Sequence, residues 1–465
     1  MSTVGSGFLV NRDALLGRGP AALRELVLEV VEAGLGAADP AEPVRRAVLR
    51  GDRGSVIVDG AEHRPGPGGR VVVLGAGKAS ARIAEALEEV LGDALAGGVV
   101  IVPEGCPAGQ GRVDLMAGGH PLPTDASRRA ARRLMQEAAA LGPADVVLAC
   151  FTGGSSALAC LPAAGISFRE KRDLHGLLLR SGAPIRDVNT VRKHTSRIKG
   201  GRLAAALSGA SIVNLTVSDV VGDPLDAITD PTVPDTTTAA DAVAVLRAYD
   251  LWDGAAPSVR SHLSNAEAAE SPALDGIPIQ SRILVTGSDI AEAMVRRSES
   301  LGVPAHVLTT AIEGESSEVG AALAAIALEV HDHDRPFGPP CVLVGAGGET
   351  TVTLAPVDEF GSGGPNQVAA IAAALRIGRG RAIAAAFVDT DGMDGSTAQA
   401  GALVDGATLE RATELGVDLR TAMRQHRSGD ALAEIGDAIV TGPTGRNAND
   451  LFVIAVGVTA SRNGS

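Results

Sequence analysis

The chain has 465 residues, a formal net charge of −14 and 45% hydrophobic residues, but aromatics make up only 2%, with one Trp and one Tyr. That length calls for two domains. The acidic balance argues against a nucleic-acid or anionic-membrane surface, and the scarcity of aromatics argues against base stacking on single strands.

The first ten residues carry no basic segment and no long apolar core, so no signal peptide is expected. No run approaches 18 apolar residues, so no transmembrane helix is expected and the cytoplasm is the simplest compartment. Cys106, Cys150, Cys160 and Cys341 are scattered, which excludes a Cys-zinc motif and a disulfide framework. Leu23–Ala37 has the period of an amphipathic helix. Arg70–Leu74 reads as a buried strand, and the turn that follows opens a helix running to about Leu91. Ala96–Val102 is a second strand, Asp125–Leu141 a helix and Ala144–Phe151 a third strand. Such alternation implies parallel βαβ units with helices on both faces, and ligands in such sheets bind past the carboxyl ends of strands.

Ile212–Val217 is another apolar strand, and Ala239–Leu251 a helix in a weaker, Ala- and Pro-rich stretch. A domain transition is expected near 260–280. Strand Arg282–Thr286, helix Asp289–Leu301 and strand His306–Thr309 then begin a second α/β region. It continues through strand Cys341–Val344, helix Asn366–Leu375 and strand Ala382–Val388 to a frayed tail at Ala460–Ser465.

Gly-rich turns follow several of these strands. Gly75-Ala-Gly77-Lys78-Ala-Ser80 lets the backbone approach an anion at a helix start, with a cation inside the loop. Its spacing is neither a Walker A loop nor a full dinucleotide fingerprint. Thr152-Gly153-Gly154-Ser155-Ser156 and Gly347-Gly348-Glu349-Thr350 offer consecutive amides and hydroxyls that suit an anion nest, and each reads equally as a structural turn. Asn189-Thr-Val-Arg192-Lys193-His194, continuing to Arg197 and Lys199, concentrates cations in an acidic chain. It is either an anion site or the solvated face of a helix. Asp219 and Asp223 at one strand end, and Asp389, Asp391 and Asp394 at another, are caps or turn formers on one reading. On the other they bind Mg²⁺ or position a hydroxyl nucleophile. His120, in Gly119-His120-Pro121, is either a substrate-loop or a turn histidine.

Taken in order, the Gly75–Lys78, Gly119–Pro123, Gly153–Leu158, Asn189–His194, Lys199–Gly201, Ser218–Asp223, Gly347–Thr350 and Asp389–Gly395 motifs resemble the bacterial glycerate 2-kinase family with a C-terminal MOFRL domain. Some members of that family carry the label hydroxypyruvate reductase. The resemblance covers roughly residues 20 to 458. It implies an α/β protein of two domains, a larger Rossmann-like αβα domain over 20–275 and a MOFRL-containing α/β domain over 276–458, with the active site in the cleft. It implies ATP- and Mg²⁺-dependent phosphorylation of D-glycerate at its 2-hydroxyl, with Lys78, Asp219 and Asp391 catalytic and both aspartates on the metal. Gly77, Ser80, His120, Gly153, Gly154, Ser155, Ser156, Asn189, Arg192, Lys193, His194, Lys199, Gly347, Gly348, Glu349, Thr350 and Asn366 are the expected substrate or phosphate residues. A homodimer is compatible with it.

Two places depart from the family pattern. The family's Gly-Gly-Arg-Asn-Gln-Glu reads here Gly363-Gly-Pro365-Asn366-Gln367-Val368, which removes a cation and a carboxylate. Asp230 stands where the family has Gly before its Pro-Thr. The sequence therefore leaves open a kinase of another small hydroxylated metabolite, an NAD(P)H-dependent hydroxypyruvate reductase and an inactive nucleotide-binding homologue. The reductase lacks an acidic ribose ligand at the spacing a dinucleotide fingerprint requires.

Overall fold

The computed structural model of the chain describes residues 7–106, 111–218, 220–222, 224–225, 231–354 and 361–458. They form two compact units, one running from Asp39 to Ser218 and resuming after residue 222 to Leu284, the other taking the chain up to Ala38, residues 220–222 and the chain from Val285 onward. The division differs from the 20–275 and 276–458 expected from sequence, at both ends of the first domain.

Helix α1 (Ala21–Ala37) fully buries Val27, Leu28, Val30, Val31 and Leu35. Its partners come from the far end of the sequence. A Cβ on Gly34 would stand 2.9 Å from Leu451 Cδ2 and 3.0 Å from Met294 Sδ. Glycine at this position leaves room for both side chains to pack against the helix backbone. Arg24, fully buried on the same helix, donates from Nε to Asp405 at 2.5 Å and from Nη2 to Asp437 at 2.7 Å.

In the first unit, β1 (Val71–Ala76), β2 (Leu95–Pro103), β3 (Val113–Gly118), β4 (Val146–Phe151), β5 (Ser211–Val217) and β6 (Ile279–Val285) form a sheet in the order β3-β2-β1-β4-β5-β6. The β3/β2, β2/β1, β1/β4 and β4/β5 pairs are parallel. This is the doubly wound order, and it reverses between β1 and β4, the switch point where such sheets bind ligands. Apolar runs such as Val71–Leu74 and Val146–Phe151 are buried throughout, as strands covered on both faces must be. Helices α2 (Ser80–Leu91) and α3 (Asp125–Ala139) follow β1 and β3. The strand read at Arg282–Thr286 as the start of the second α/β region is instead β6, the edge strand of this sheet.

Beside the sheet, helices α4 (Phe168–Leu179) and α5 (Ile185–His194) pack through Leu174, Leu178, Val188 and Val191 into a separate apolar cluster with Leu246 and Val259. A reciprocal capping box starts α4: Glu170 N donates to Ser167 Oγ at 3.2 Å, and Ser167 N to Glu170 Oε2 at 2.8 Å.

The second unit adds α6 (Gly287–Ser300), β7 (Ala305–Thr309), α7 (Ser316–His333), β8 (Cys341–Ala346), α8 (Pro365–Ile377), β9 (Ile383–Asp389), β10 (Gly401–Asp405), β11 (Ala438–Ile439) and β12 (Asp450–Val456). Its sheet runs β7-β8-β12-β9-β10-β11. Only β7/β8 is parallel, because β12 inserts antiparallel between β8 and β9, and β10 and β11 continue antiparallel. Among the described residues, no helix is long and apolar enough to cross a membrane.

Candidate functional site

The register Gly75↔Cys150 and Ala76↔Phe151 brings the carboxyl ends of β1 and β4 level, so the turns that leave them interlock. Lys78 N donates to Gly153 O at 2.9 Å, Thr152 N to Ala76 O at 3.0 Å, and Ala79 N to Thr152 Oγ1 at 3.2 Å. Gly77 has φ 147°, and a Cβ there would lie 2.0 Å from Thr152 Oγ1. Gly154 has φ 84°, and an added Cβ would meet both His120 Cδ2 at 3.1 Å and Lys78 Cγ at 3.3 Å. Three sequence candidates, Lys78, His120 and Gly154, thus share one small region above the switch point. The Lys78 side chain is half-buried and His120 is exposed. Ser80 does not join them. It is fully buried, and its hydroxyl donates to Cys150 O at 2.8 Å, so it fastens the turn from beneath. Ser155 and Ser156 are largely buried behind the glycines.

A cavity of about 210 Å³, lined by Arg70, Arg112, Arg133, Asp114 and Glu137 among others, lies at the amino-terminal start of β1 and β2. That is the end of a parallel sheet opposite to where ligands bind, so the loop geometry is the better guide.

The cation run of α5 is not a solvated face. Asn189, Arg192, Lys193, His194 and Lys199 are each at most 7% exposed. Two of the five serve inside the protein. Lys193 Nζ pairs with Asp235 Oδ1 at 2.6 Å. His194 Nδ1 lies 2.9 Å from Ala269 O, and its Nε2 lies 3.5 Å from Asp235 Oδ2. Burial alone would raise the Asp235 carboxyl, but hydrogen bonds from Lys193, Ser271 and Thr237 outweigh it and hold the group down at about 2. Lys193 and His194, expected to hold a ligand, are therefore positioned by Asp235, which the sequence does not single out. Arg192 differs: Nη1 reaches Asn189 Oδ1 at 3.5 Å, while the buried Nε meets no hydrogen-bond partner among the described residues. Burial lowers this guanidinium to about 10.

Behind Arg192 stand two basic groups that sequence reasoning missed. Lys171 and His175 lie one turn apart on α4, both fully buried. Lys171 Nζ donates to Arg192 O at 3.1 Å and to Thr195 Oγ1. The available signal was the Ser167–Glu170 capping box, which starts a helix and so gives Lys171 and His175 a common face.

In the second unit, the turn after β8 is shaped by Gly347 and Gly348, both at φ 84°. A Cβ on Gly348 would fall 2.1 Å from Ile312 O. Gly347 N donates to Asp450 O at 3.0 Å and Thr350 N to Asp450 Oδ2 at 3.2 Å, so these two amides brace the turn and do not point into an anion nest. Asn366 joins the same network by donating from Nδ2 to Asp450 Oδ1 at 2.7 Å. Pro365 occupies the first position of α8, where its missing N–H costs nothing. The next two amides, Asn366 N and Gln367 N, donate to Asp394 at 3.0 and 2.8 Å. Val368 is buried.

Burial pushes Asp394 up to about 7 against the hydrogen bonds from Gln367 and Asn366, with Asp391 adding to the rise. Asp450 is raised well above the usual carboxylate range by burial and by the charge of Glu349. Asp391 is 7% exposed and its Oδ1 accepts Met393 N at 2.7 Å. Glu349 is exposed. Asp219, Asp223 and Asp230 lie outside the described residues. Among the described residues, no group of three acidic, His or Cys side chains could hold a metal alone. A carboxylate such as Asp391 is nonetheless the donor Mg²⁺ takes in nucleotide sites, where one or two carboxylates act with phosphates and water.

Residues 26–264 match a family described as a domain of unknown function (DUF4147), and residues 341–450 match the MOFRL family. The chain is similar to a glycerate 2-kinase of Pyrococcus horikoshii, 39% identical over 95% of this chain and 98% of that one. It is 38% identical to an Agrobacterium vitis protein that carries a provisional hydroxypyruvate reductase name, over 88% of this chain and 92% of the other. Among solved structures, a glycerate kinase of Thermotoga maritima superposes with a TM-score of 0.76 at 32% identity, covering 94% of this chain and 100% of that one.

Proposed function

The chain belongs to the glycerate 2-kinase family, a DUF4147 domain followed by a MOFRL domain, and from that premise we propose how its own residues carry out the family's reaction. It is an ATP-dependent kinase of glycerate. The finer reading is transfer of the γ-phosphoryl group to the 2-hydroxyl of D-glycerate. Phosphoryl transfer asks a protein mainly for positioning and charge neutralisation. The observation that carries the reading is the interlocked pair of turns at the switch point, with the half-buried Lys78 fixed between Gly153 O and the Gly154 Cα.

In this reading Lys78 neutralises charge developing on the transferred phosphoryl group. Gly153 and Gly154 allow phosphate oxygens close to the backbone, and His120, which shares the approach to Gly154 with Lys78, contacts the acceptor. Arg192, with Asn189, takes an anionic group. Asp391 and Asp219 divide two tasks, holding Mg²⁺ and orienting the acceptor hydroxyl. Mg²⁺, when bound, supplies charge neutralisation at the phosphates. ADP release with D-glycerate, followed by NMR of the product, tests the reading. Formation of 2-phosphoglycerate is the expected result, and 3-phosphoglycerate alone or no ADP release would remove it. Oxidation of NADH by hydroxypyruvate would instead favour the reductase.

Gly154→Ala is expected to lower kcat/KM by about tenfold or more, because displacing catalytic groups by fractions of an ångström is costly. The new Cβ would press on His120 and Lys78 at 3.1–3.3 Å and would sit at φ 84°. Unchanged steady-state kinetics would show that neither side chain needs its present place.

One observation favours a second acceptor. Pro365 and Val368 stand where the family's motif has Arg and Glu, and Pro365 is built into the first turn of α8. Comparing D-glycerate with other hydroxy acids, sugars and amino alcohols decides between the two. A strong preference for D-glycerate would dismiss the alternative.

A further inference from the structure

Lys171 faces cationic neighbours from several elements. Arg192 comes from α5 and Arg202 from the helix Arg202–Ala206, while the Cys160 thiol follows the β4 turn. Lys199 and Arg192 also act on His175, on the same helix as Lys171, and Lys171 acts on His262 from the helix Pro257–Ser264. Of the carboxylates of this region, Asp235 is matched to Lys193 and His194, while Glu270 acts on Arg202 and accepts Ala239 N at 3.0 Å. Arg192 Nε and both ring nitrogens of His175 are buried with no hydrogen-bond partner among the described residues. Of Lys171, His175, Arg192 and Lys199, Arg192 keeps the most exposure, at 7%.

We propose that this cluster is a proton-linked anion site, in which an arriving carboxylate or phosphate pairs with Arg192 while Lys171 takes up a proton from solvent. The inference rests on Arg192 as an anion-binding residue and adds the proton. Burial brings Lys171 down to about 7; Cys160 opposes it more than either arginine alone adds, and the charges of Arg192 and Arg202 contribute to the lowering. An anion in the cluster opposes those same positive charges, so it must raise the proton affinity of Lys171. The neutral amine keeps two N–H groups, enough to hold Arg192 O and Thr195 Oγ1, so the scaffold survives in either state. Burial raises Cys160 against the nearby charges of Lys171, Lys199 and Arg192, and His175 is lowered well below its ordinary value by burial and by Arg192, Lys171 and Lys199.

The sign follows from linkage. At pH 8 free Lys171 is mostly neutral and the anion-bound form mostly charged, so binding takes up roughly one proton and affinity falls up to about tenfold per pH unit. Below about pH 6 both forms are charged and the uptake vanishes.

Calorimetry on the full chain at pH 8, in two buffers of different ionisation enthalpy, reads this directly. D-glycerate and inorganic phosphate are titrated separately, to distinguish an acceptor carboxylate from a phosphate. Buffer-dependent heat with either anion is expected, fading by pH 6 and absent in Lys171→Arg, which keeps the donors but does not titrate. Lys171→Met is the second variant, and Lys171→Arg decides alone if it fails to fold. Binding without proton uptake, equal uptake in the Lys171 variants, or no binding of either anion would overturn the proposal. ADP release is measured independently, so the kinase reading stands or falls separately.

Discussion

Replacing Lys78 with alanine is expected to lower the turnover number by about 10³-fold, roughly 4 kcal/mol of transition-state stabilisation. A single cation aimed at a transferring phosphoryl group carries effects of that order. The fold should be untouched, for two reasons. The bond from Lys78 to Gly153 O is made by the backbone amide, which alanine retains. The side chain is only half-buried, so its removal opens no core cavity. KM for D-glycerate should change much less than kcat, because the ammonium acts on charge that develops after binding. The measurement is a coupled ADP assay alongside circular dichroism of wild type and variant. Turnover within a fewfold of wild type, on a correctly folded variant, would remove Lys78 from the chemistry.

Arg24→Ala is expected to cost about 3–5 kcal/mol of stability in the second unit, as breaking buried ion pairs from one side does. Arg24, Asp405 and Asp437 have no exposed surface. Arg411 supplies the other half of the network, 3.3 Å from Asp405 Oδ1 and 2.6 Å from Asp437 Oδ2. Without Arg24, two carboxylates stay buried with one guanidinium between them. The carbonyl of Leu15, which accepts from Arg24 Nη1 at 2.8 Å, is left without that donor too. Hydrogen-exchange mass spectrometry gives the check. Amides of Gly401–Asp405 should lose protection, while those of Val71–Ala76 in the other unit should keep theirs. Equal protection in both strands would show that Arg411 alone satisfies the carboxylates.

In the first unit β3 was not legible, because Asp114 breaks its apolar run, but most strands were legible as short apolar runs, those of β1 and β4 leading into glycine turns. The switch point was legible for the same reason, since Gly75–Lys78 and Thr152–Gly154 both end such runs. The environment of α5 was not. A dense run of Arg, Lys and His reads as solvated from its own composition, and the group that neutralises half of it, Asp235, lies 42 residues beyond Lys193. Nor could local pattern show that β12 enters the second sheet antiparallel. Leu451–Val456 is apolar on both faces, and that fits either direction.

The attachment of α1 has a consequence for the order in which the protein can be made. The helix emerges from the ribosome before residues 39–284, yet the surfaces it covers, around Met294 and Leu451, are synthesised after them. Its apolar face, Val27 to Leu35, must wait uncovered while the intervening unit is completed. A fragment cut at residue 276 would carry the receiving surface with nothing to cover it. One that joined residues 7–38 to 285–458 would restore the natural partner, and a rearranged chain of that kind is the form in which the second unit should be expressed alone.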